Sequence, residues 1–189
     1  MDTVLVVSGT AQGCAQLTEL LKNSGNWQFV CASSGAEARR NLIDRDYALV
    51  VVNTPLPDEF GHELAAMAAD TGTAGVLLLV KAELADELAA RVEEHGVLTV
   101  SKPISRPLFH QALKLACTVR QRVLGLRTEN NRLQEKIEEI RLVDRAKCAL
   151  IQYLGMTEPQ AHRYIEKQAM DLRCSRREIA QTLLKTYET

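Results

Sequence analysis

The sequence contains no long hydrophobic run and no basic leader. No apolar stretch among its 189 residues approaches the roughly 18 that a transmembrane helix requires. The amino terminus, MDTVLVVSGT, starts with an acidic residue and a short strand-like run, unlike the basic and then apolar start of a signal peptide. We therefore expect a cytoplasmic protein with no membrane partner.

Clusters of metal ligands and pairs of cysteines are also missing. The cysteines are odd in number and scattered, without a C-x-x-C pair, and the histidines stand apart from one another. This spacing argues against a disulfide framework and a structural zinc site, and favours a reducing compartment. No metal and no other cofactor is predicted. The cysteines are Cys14, Cys31, Cys117, Cys148 and Cys174.

The net charge of −1 conceals an uneven distribution. Residues 1–118 hold nine Lys and Arg against fourteen Asp and Glu, a net charge of −5. Residues 119–189 hold the remaining fourteen basic and ten acidic residues, a net charge of +4. Such a difference between halves suggests two modules with different partners, and a basic tail points toward nucleic acid.

The first module alternates between strand and helix patterns. Short apolar or β-branched runs occupy residues 3–8, 27–32, 47–53, 74–80 and 96–101. Helical patterns lie between them at 11–24, 34–44, 59–71 and 83–94, with Ser34 and Asp58 as expected N-caps. This alternation predicts an α/β fold with a five-stranded parallel sheet in the flavodoxin-like order 2-1-3-4-5.

A heptad pattern follows within an unbroken helical segment. Its apolar positions are spaced alternately four and three residues apart, with Asn130 at an a position, where a buried amide favours a parallel dimer in fixed register. We predict a homodimer through a coiled coil; the alternative is one amphipathic helix lying on its own domain. The predicted seam is Val119, Val123, Leu126, Asn130, Leu133, Ile137 and Ile140.

Two shorter helices follow the long one. Thr157 and Ser175 are their predicted N-caps, with Pro159 in the first turn of one and Glu178 completing a capping box in the other. With the end of the long helix they form a small three-helix unit. Its expected core is Ala146, Leu150, Leu154, Ala161, Ile165, Ala169, Ile179, Leu183 and Leu184, with Tyr153 also expected inside.

The stretch YALVVVNTPLP, residues 47–57, ends a predicted buried strand in the amide of Asn53. Over residues 1–118 the sequence resembles the receiver domain of bacterial response regulators. In that family an acidic pair ends strand 1, the phosphoacceptor aspartate ends strand 3, Thr or Ser ends strand 4, and Lys-Pro ends strand 5. Here those positions are occupied, in that order, by Ser8 and Gly9, Asn53, Val80 or Lys81, and Lys102-Pro103.

The resemblance therefore implies a receiver fold without the receiver's chemistry. Phosphoryl transfer needs a carboxylate nucleophile and a bound divalent ion, and Asn53, Ser8 and Gly9 supply neither. We expect a degenerate pocket of Ser8, Gly9, Lys81 and Lys102 around Asn53, acting as a regulatory platform for a sensor protein or another signal. A cis Lys102-Pro103 peptide, as in the family, is also expected.

Residues 143–184 closely resemble the ANTAR domain of AmiR/NasR-type transcription antitermination regulators. The matching residues are Ala146, Lys147, Thr157, Glu158, Ala161, the run 167–173 and Ala180, while Cys148 replaces the usual glycine. This resemblance implies a regulator that binds stem-loops in a nascent transcript leader. The expected RNA-binding residues are Lys147, Arg145, Arg141, Arg163, Tyr164, Arg173, Arg176 and Arg177.

The expected organisation is a pseudo-receiver at 1–118, a coiled-coil dimerisation helix at 119–141 and an ANTAR domain at 142–189. The predicted function is non-enzymatic transcription antitermination through RNA binding. Two alternatives are a DNA-binding two-component response regulator and a coiled-coil adaptor that recruits a signalling partner. Against the first, no glycine-containing helix-turn-helix is evident; the second leaves the basic tail unexplained.

Overall fold

The computed structural model describes residues 2–22 and 24–187. Five parallel strands form one sheet in the order β2-β1-β3-β4-β5, which confirms the predicted topology. Their bounds are β1 Asp2–Ser8, β2 Trp27–Ala32, β3 Leu49–Asn53, β4 Gly75–Lys81 and β5 Leu98–Lys102. Met1, Asn23, Glu188 and Thr189, which belong to the predicted helix 11–24 and the predicted terminal domains, lie outside the described residues.

Four helices connect these strands. They are α1 Ala11–Lys22, α2 Gly35–Asp44, α3 His62–Thr71 and α4 Ala85–Val92, with a 3₁₀ turn on either side of α4. Ser34 caps α2 as predicted, since its side chain accepts a hydrogen bond from the Glu37 amide. The peptide bonds Thr54-Pro55 and Lys102-Pro103 are cis, the second as expected.

Asp58 has a different role from the predicted one. It lies four residues before α3 and instead caps α2: its carboxylate oxygens accept from the amides of Gly35 at 2.8 Å and Ala36 at 2.9 Å. The next residue, Glu59, pairs with Arg39 of α2 through Nη2 and Oε2 at 2.8 Å. The loop after β3 therefore satisfies the orphan amides at the start of a neighbouring helix.

Strand residues alternate between two apolar cores because both faces of the sheet are covered. Val6, Val51 and Leu79 pack against α1 and against Phe109 and Leu113, which lie in the long helix that follows β5. The intervening strand residues pack against α2, α3 and α4 on the opposite face; they include Leu5, Val7, Val50, Val52, Leu78 and Val80. Burial on both faces explains why the strands read as continuous hydrophobic runs.

After β5 the described residues form three helices: α5 Arg106–Leu154, α6 Glu158–Leu172 and α7 Arg176–Tyr187. The chain divides into two compact units that meet at Gly125 and Leu126. In the second unit the capping box of Ser175 and Glu178 is present, with the Ser175 amide donating to Glu178 Oε2 at 2.8 Å. The buried core of this unit is Ala146, Leu150, Ala161, Ile165, Ile179, Ala180 and Leu184, with Ala169 and Leu183 partly buried.

Two core predictions for this unit are wrong. Leu154 and Tyr153 are 47% and 54% exposed. The reason is that α5 ends at Leu154 and Gly155 turns the chain with φ +64°. The last turn of α5 therefore lies at the edge of the core, where Tyr187 of α7 contacts Tyr153 without burying it.

The cysteine spacing argues against a disulfide framework, but the structure contains a disulfide. Cys14 of α1 and Cys31 of β2 form a disulfide, with their Cα atoms 6.5 Å apart. The helix and the strand lie next to each other in the fold, which the separation of 17 residues in sequence does not show. Cys117, Cys148 and Cys174 are free thiols.

Within residues 2–22 and 24–187, no helix is both long and apolar enough to cross a membrane. The same part of the chain contains no group of three or more His, Cys, Asp or Glu side chains arranged to hold a metal ion.

Candidate functional site

Three predicted site residues meet at the carboxyl edge of the sheet, where β1, β3 and β5 end. Asn53 Nδ2 donates to Ser8 Oγ at 3.1 Å. Lys102 Nζ donates to Asn53 Oδ1 at 2.8 Å and also to the carbonyl oxygen of Thr54. One amide thus joins Ser8 to Lys102, and both ends of the Asn53 side chain are satisfied.

Two lysine side chains, Lys102 and Lys81, determine the charge of this site. Burial lowers the pKa of Lys102, and the positive charge of Lys81, its neighbour in the β4–β5 register, lowers it further. Lys81 itself is exposed at the end of β4. With a serine and an amide at the ends of β1 and β3, the site offers hydrogen bonds but neither a carboxylate nucleophile nor a pair of hard anionic ligands.

Gly13 is a site residue that sequence reasoning missed. A Cβ atom on Gly13 would lie 2.3 Å from Ser8 Oγ and 3.1 Å from Asn53 Nδ2, so the first turn of α1 lies directly against the pair. Gly9 faces Pro57, whose Cδ would be 3.0 Å from an added Cβ. The available signal was a glycine inside a helical pattern, which commonly marks close approach.

In the carboxyl-terminal unit, Lys147 lies between two carboxylates. Its Nζ is 2.8 Å from Asp144 Oδ1 and 3.0 Å from Glu158 Oε1, and only 16% of its side chain is exposed. Hydrogen bonds to Asp144 and then to Glu158 raise the pKa of Lys147. Through these ion pairs Lys147 connects the last part of α5 to the start of α6.

Arg176 and Arg177, at the start of α7, are paired with acidic residues on other helices. Arg176 Nη2 lies 3.6 Å from Glu139 Oε1, and its Nη1 lies 3.8 Å from Glu166 Oε1. Arg177 Nη2 lies 3.6 Å from Glu138 Oε2. Both arginines are still about half exposed, since 51% and 42% of their side chains reach solvent.

The other predicted RNA-binding arginines are exposed: Arg141 and Arg145 on α5, Arg163 on α6 and Arg173. Arg173 ends α6 in the left-handed conformation, φ 52°.

The two tyrosines have exchanged their predicted environments. Tyr164, expected to stack on RNA, is half-buried against the core of the unit. Tyr153, expected in that core, is exposed and stacks on Tyr187 with ring centroids 5.5 Å apart and planes inclined by 16°.

The heptad seam lies on α5 and is largely uncovered in the single chain. Val119 and Val123 are half-buried, and Asn130 is exposed. The four remaining seam residues are exposed large apolar side chains: Leu126 at 72%, Leu133 at 47%, Ile137 at 49% and Ile140 at 54%.

Comparison with known proteins identifies a described domain within the second unit and relatives along most of the chain. The ANTAR domain model matches residues 131–184. The transcriptional regulatory protein PdtaR of Mycobacterium tuberculosis is 29% identical over 187 residues, covering 98% of this chain and 91% of the relative. The aliphatic amidase regulator of Pseudomonas aeruginosa is 30% identical over 138 residues, covering 71% of this chain and 69% of the relative.

Among solved structures, the chain is similar to a response regulator receiver domain protein from Clostridium thermocellum. The TM-score is 0.57 at 20% identity, covering 66% of this chain and 99% of that one. This likeness concerns the fold alone.

Proposed function

This chain belongs to the ANTAR-domain response regulators, and from that premise we propose that it is a transcription antitermination regulator that binds hairpins in nascent RNA. The observation that carries the proposal is the agreement between the ANTAR match at 131–184 and a compact helical unit with exposed arginines. Arginines of this kind contact phosphates and stack on unpaired bases of RNA loops. A protein-stabilised hairpin would then exclude the terminator hairpin, and polymerase would read through.

We propose further that the receiver unit is not phosphorylated and serves as a regulatory platform. Support comes from the closed hydrogen-bonded group of Ser8, Asn53 and Lys102, which lacks a carboxylate nucleophile. A signal would reach such a unit through a sensor protein bound to its surface. The family is regulatory, and the proposed role requires no enzymatic activity of this chain.

The proposed active form is a homodimer through the seam of α5. Support comes from four exposed apolar side chains, Leu126, Leu133, Ile137 and Ile140. Apolar side chains at heptad spacing form a coiled coil when a second helix buries them. Asn130 among them would fix a parallel register.

We place the protein in the cytoplasm, where transcripts are made. Disulfides are rare there because thiol buffers keep cysteines reduced. The Cys14–Cys31 disulfide would be an exception to this rule.

The proposed function is tested by a gel shift with the full-length protein on three probes. One probe is an RNA with two adjacent hairpins, one is an unstructured RNA of the same length, and one is a DNA duplex of matching sequence. We expect the hairpin pair to bind at least tenfold more tightly than either control at the same ionic strength. Equal or tighter binding to duplex DNA would contradict the antitermination proposal and favour the DNA-binding alternative.

A further inference from the structure

The carboxyl-terminal unit carries a stacked pair of aromatic side chains at its surface. Tyr153 lies in the last turn of α5 and Tyr187 at the end of α7, and their rings are stacked at 5.5 Å and 16°. Tyr187 also packs against the core of the unit, which holds it in place. Tyr153 stacks upon it with 54% of its surface exposed. The core thus holds Tyr187 in place, and the Tyr153 ring that stacks on it faces solvent.

Polar and charged side chains share a groove with the exposed ring. This groove of about 410 Å³ is lined by Tyr153, Arg145, Gln152 and Asp144, whose carboxylate is paired with Lys147. A second groove of about 450 Å³ is lined by Arg145, Gln181 and Lys185. Because Arg145 lines both grooves, they adjoin each other across α5 and α7. Tyr153 therefore shares its groove with one basic group and one amide, and Gln181 and Lys185 line the adjoining groove.

We propose that the Tyr153–Tyr187 pair is a stacking platform for one unpaired base of an RNA loop. This inference rests on the proposed RNA-binding function and names the side chains that would recognise the loop. The base stacks on the outer face of Tyr153, Arg145 and Lys185 lie against the adjoining phosphates, and Gln152 and Gln181 reach base or ribose edges. Stacking on aromatic rings and guanidinium groups is the usual way in which proteins hold unpaired RNA bases.

The geometry favours a nucleobase over a purely structural role for Tyr153. A tyrosine that served only to close the core would pack into it, as the half-buried Tyr164 does. Tyr153 instead presents its ring to solvent while the contact with Tyr187 restricts its rotation. A side chain that is already ordered loses less conformational entropy when a ligand binds.

The test measures binding of full-length protein to a hairpin-pair RNA in which one loop base is 2-aminopurine. Parent protein should quench the 2-aminopurine fluorescence on binding, since stacking on an aromatic ring quenches this base. Tyr153→Ala should abolish the quenching and weaken binding about 5- to 100-fold, the range expected for one lost stacking contact. Tyr153→Phe retains the ring and should bind within twofold of parent. Arg91→Ala, an exposed change on α4, is the matched control.

A second RNA, abasic at the same loop position, distinguishes stacking from a structural effect. On this RNA, Tyr153→Ala and parent should bind equally, because the base that uses the platform is gone. If Tyr153→Ala matches parent on the intact hairpin, the platform is wrong while the RNA-binding function stands. A loss of the same size on both RNAs would also overturn it and would indicate a structural role or a protein-binding surface. If parent fails to bind the intact hairpin, the proposed function itself fails.

Discussion

At the scale of single residues, Asn53 determines what the receiver unit can do. An amide in place of a carboxylate removes the nucleophile and the negative charge that would draw a divalent cation to the site. It also gives Lys102 and Ser8 a partner that donates as well as accepts. The site is thereby satisfied without any ligand.

We predict no aspartyl phosphorylation. After incubation with acetyl phosphate and Mg²⁺, intact-mass spectrometry should show the unmodified chain. Asn53→Asp should also remain unmodified, because Ser8 and Gly9 provide no anionic metal ligands. A stoichiometric phosphoryl adduct on the parent that is absent from Asn53→Ala would contradict the prediction.

Asp58 should contribute stability that depends on pH. Hydrogen bonds from the Gly35 amide and then the Ala36 amide lower the pKa of this carboxyl group. A carboxyl whose pKa is lowered by folding stabilises the protein above its unfolded pKa of about 3.9, and this contribution is lost as the pH falls through the folded value. Asp58→Asn should therefore lower the urea midpoint at pH 7, and the difference from parent should shrink on acidification.

Asp171→Asn, an exposed change near the end of α6, is the control for that measurement and should leave the midpoint unchanged. A difference for Asp58→Asn that stayed constant down to pH 3 would exclude the ionised cap as its cause.

Single residues are also where sequence reasoning failed. Leu150 and Leu154 are four apart on α5, so their periodicity is the same, yet Leu150 is fully buried and Leu154 is 47% exposed. The difference arises from where α5 ends and how α6 and α7 cover it, which are tertiary facts. The environments of Tyr153 and Tyr164 were exchanged for the same reason.

At the scale of elements, the predictions that succeeded depended on local patterns. Strands buried on both faces produce continuous apolar runs, and helices begin at local caps such as Ser34 before α2 and Ser175 before α7. The strand bounds agree with the predicted ones to within two residues at each end. Asp58 was misassigned because a cap can act on a helix that is distant in sequence.

Substitution of two glycines by alanine should change the stability of the protein in opposite directions. A Cβ on Gly75 of β4 would lie 2.7 Å from the carbonyl oxygen of Ala116, in the backbone of α5. Gly75→Ala should therefore destabilise the protein by about 1–3 kcal/mol. Gly125, an exposed residue in α5 with nothing within 4 Å of its added Cβ, should gain about 0.8–1 kcal/mol on change to alanine. Urea denaturation of the two variants measures both; stabilisation by Gly75→Ala would contradict the close approach.

The seam of α5 should make the protein a dimer. Analytical ultracentrifugation at micromolar concentration should give twice the chain mass of 21.0 kDa. Leu126→Ala and Leu133→Ala should each weaken the dimer, because truncating a buried leucine typically costs about 2–5 kcal/mol. Asn130→Val should strengthen association and loosen its register. A monomeric parent under these conditions would rule out the coiled coil.

At the scale of the whole molecule, the charge asymmetry found in the sequence has a structural counterpart. Residues 126–189, which include the ANTAR match, hold twelve Lys and Arg against ten Asp and Glu, a net charge of +2. The composition did not show which of them are paired, because the partners of Arg176 and Arg177 come from α5 and α6. Lys147, the strongest RNA-binding prediction from the sequence, joins α5 to α6 through Asp144 and Glu158.

RNA binding should weaken steeply with salt. Each phosphate contact contributes roughly 0.7–0.9 to the slope of log affinity against log salt. Arg163→Ala and Arg173→Ala should each lower that slope by about this amount, as measured by fluorescence anisotropy from low to physiological salt. Arg91→Ala on the receiver unit should leave it unchanged. A slope near zero for the parent would exclude phosphate contacts as the source of affinity.

The ion pairs of the carboxyl-terminal unit also bear on how the protein selects among competing polyanions. Among its basic residues, Arg176 and Arg177 are about half exposed and pair with carboxylates on α5 and α6. Each exposed pair is worth only about 0–1 kcal/mol, so a phosphate group can displace the carboxylate at small cost. Unstructured RNA that contacts one arginine at a time gains little binding free energy for each carboxylate it displaces. If the unit binds RNA hairpins as proposed, a hairpin that contacts both arginines at once recovers the cost of both displacements, and the protein's own carboxylates would then disfavour unstructured RNA.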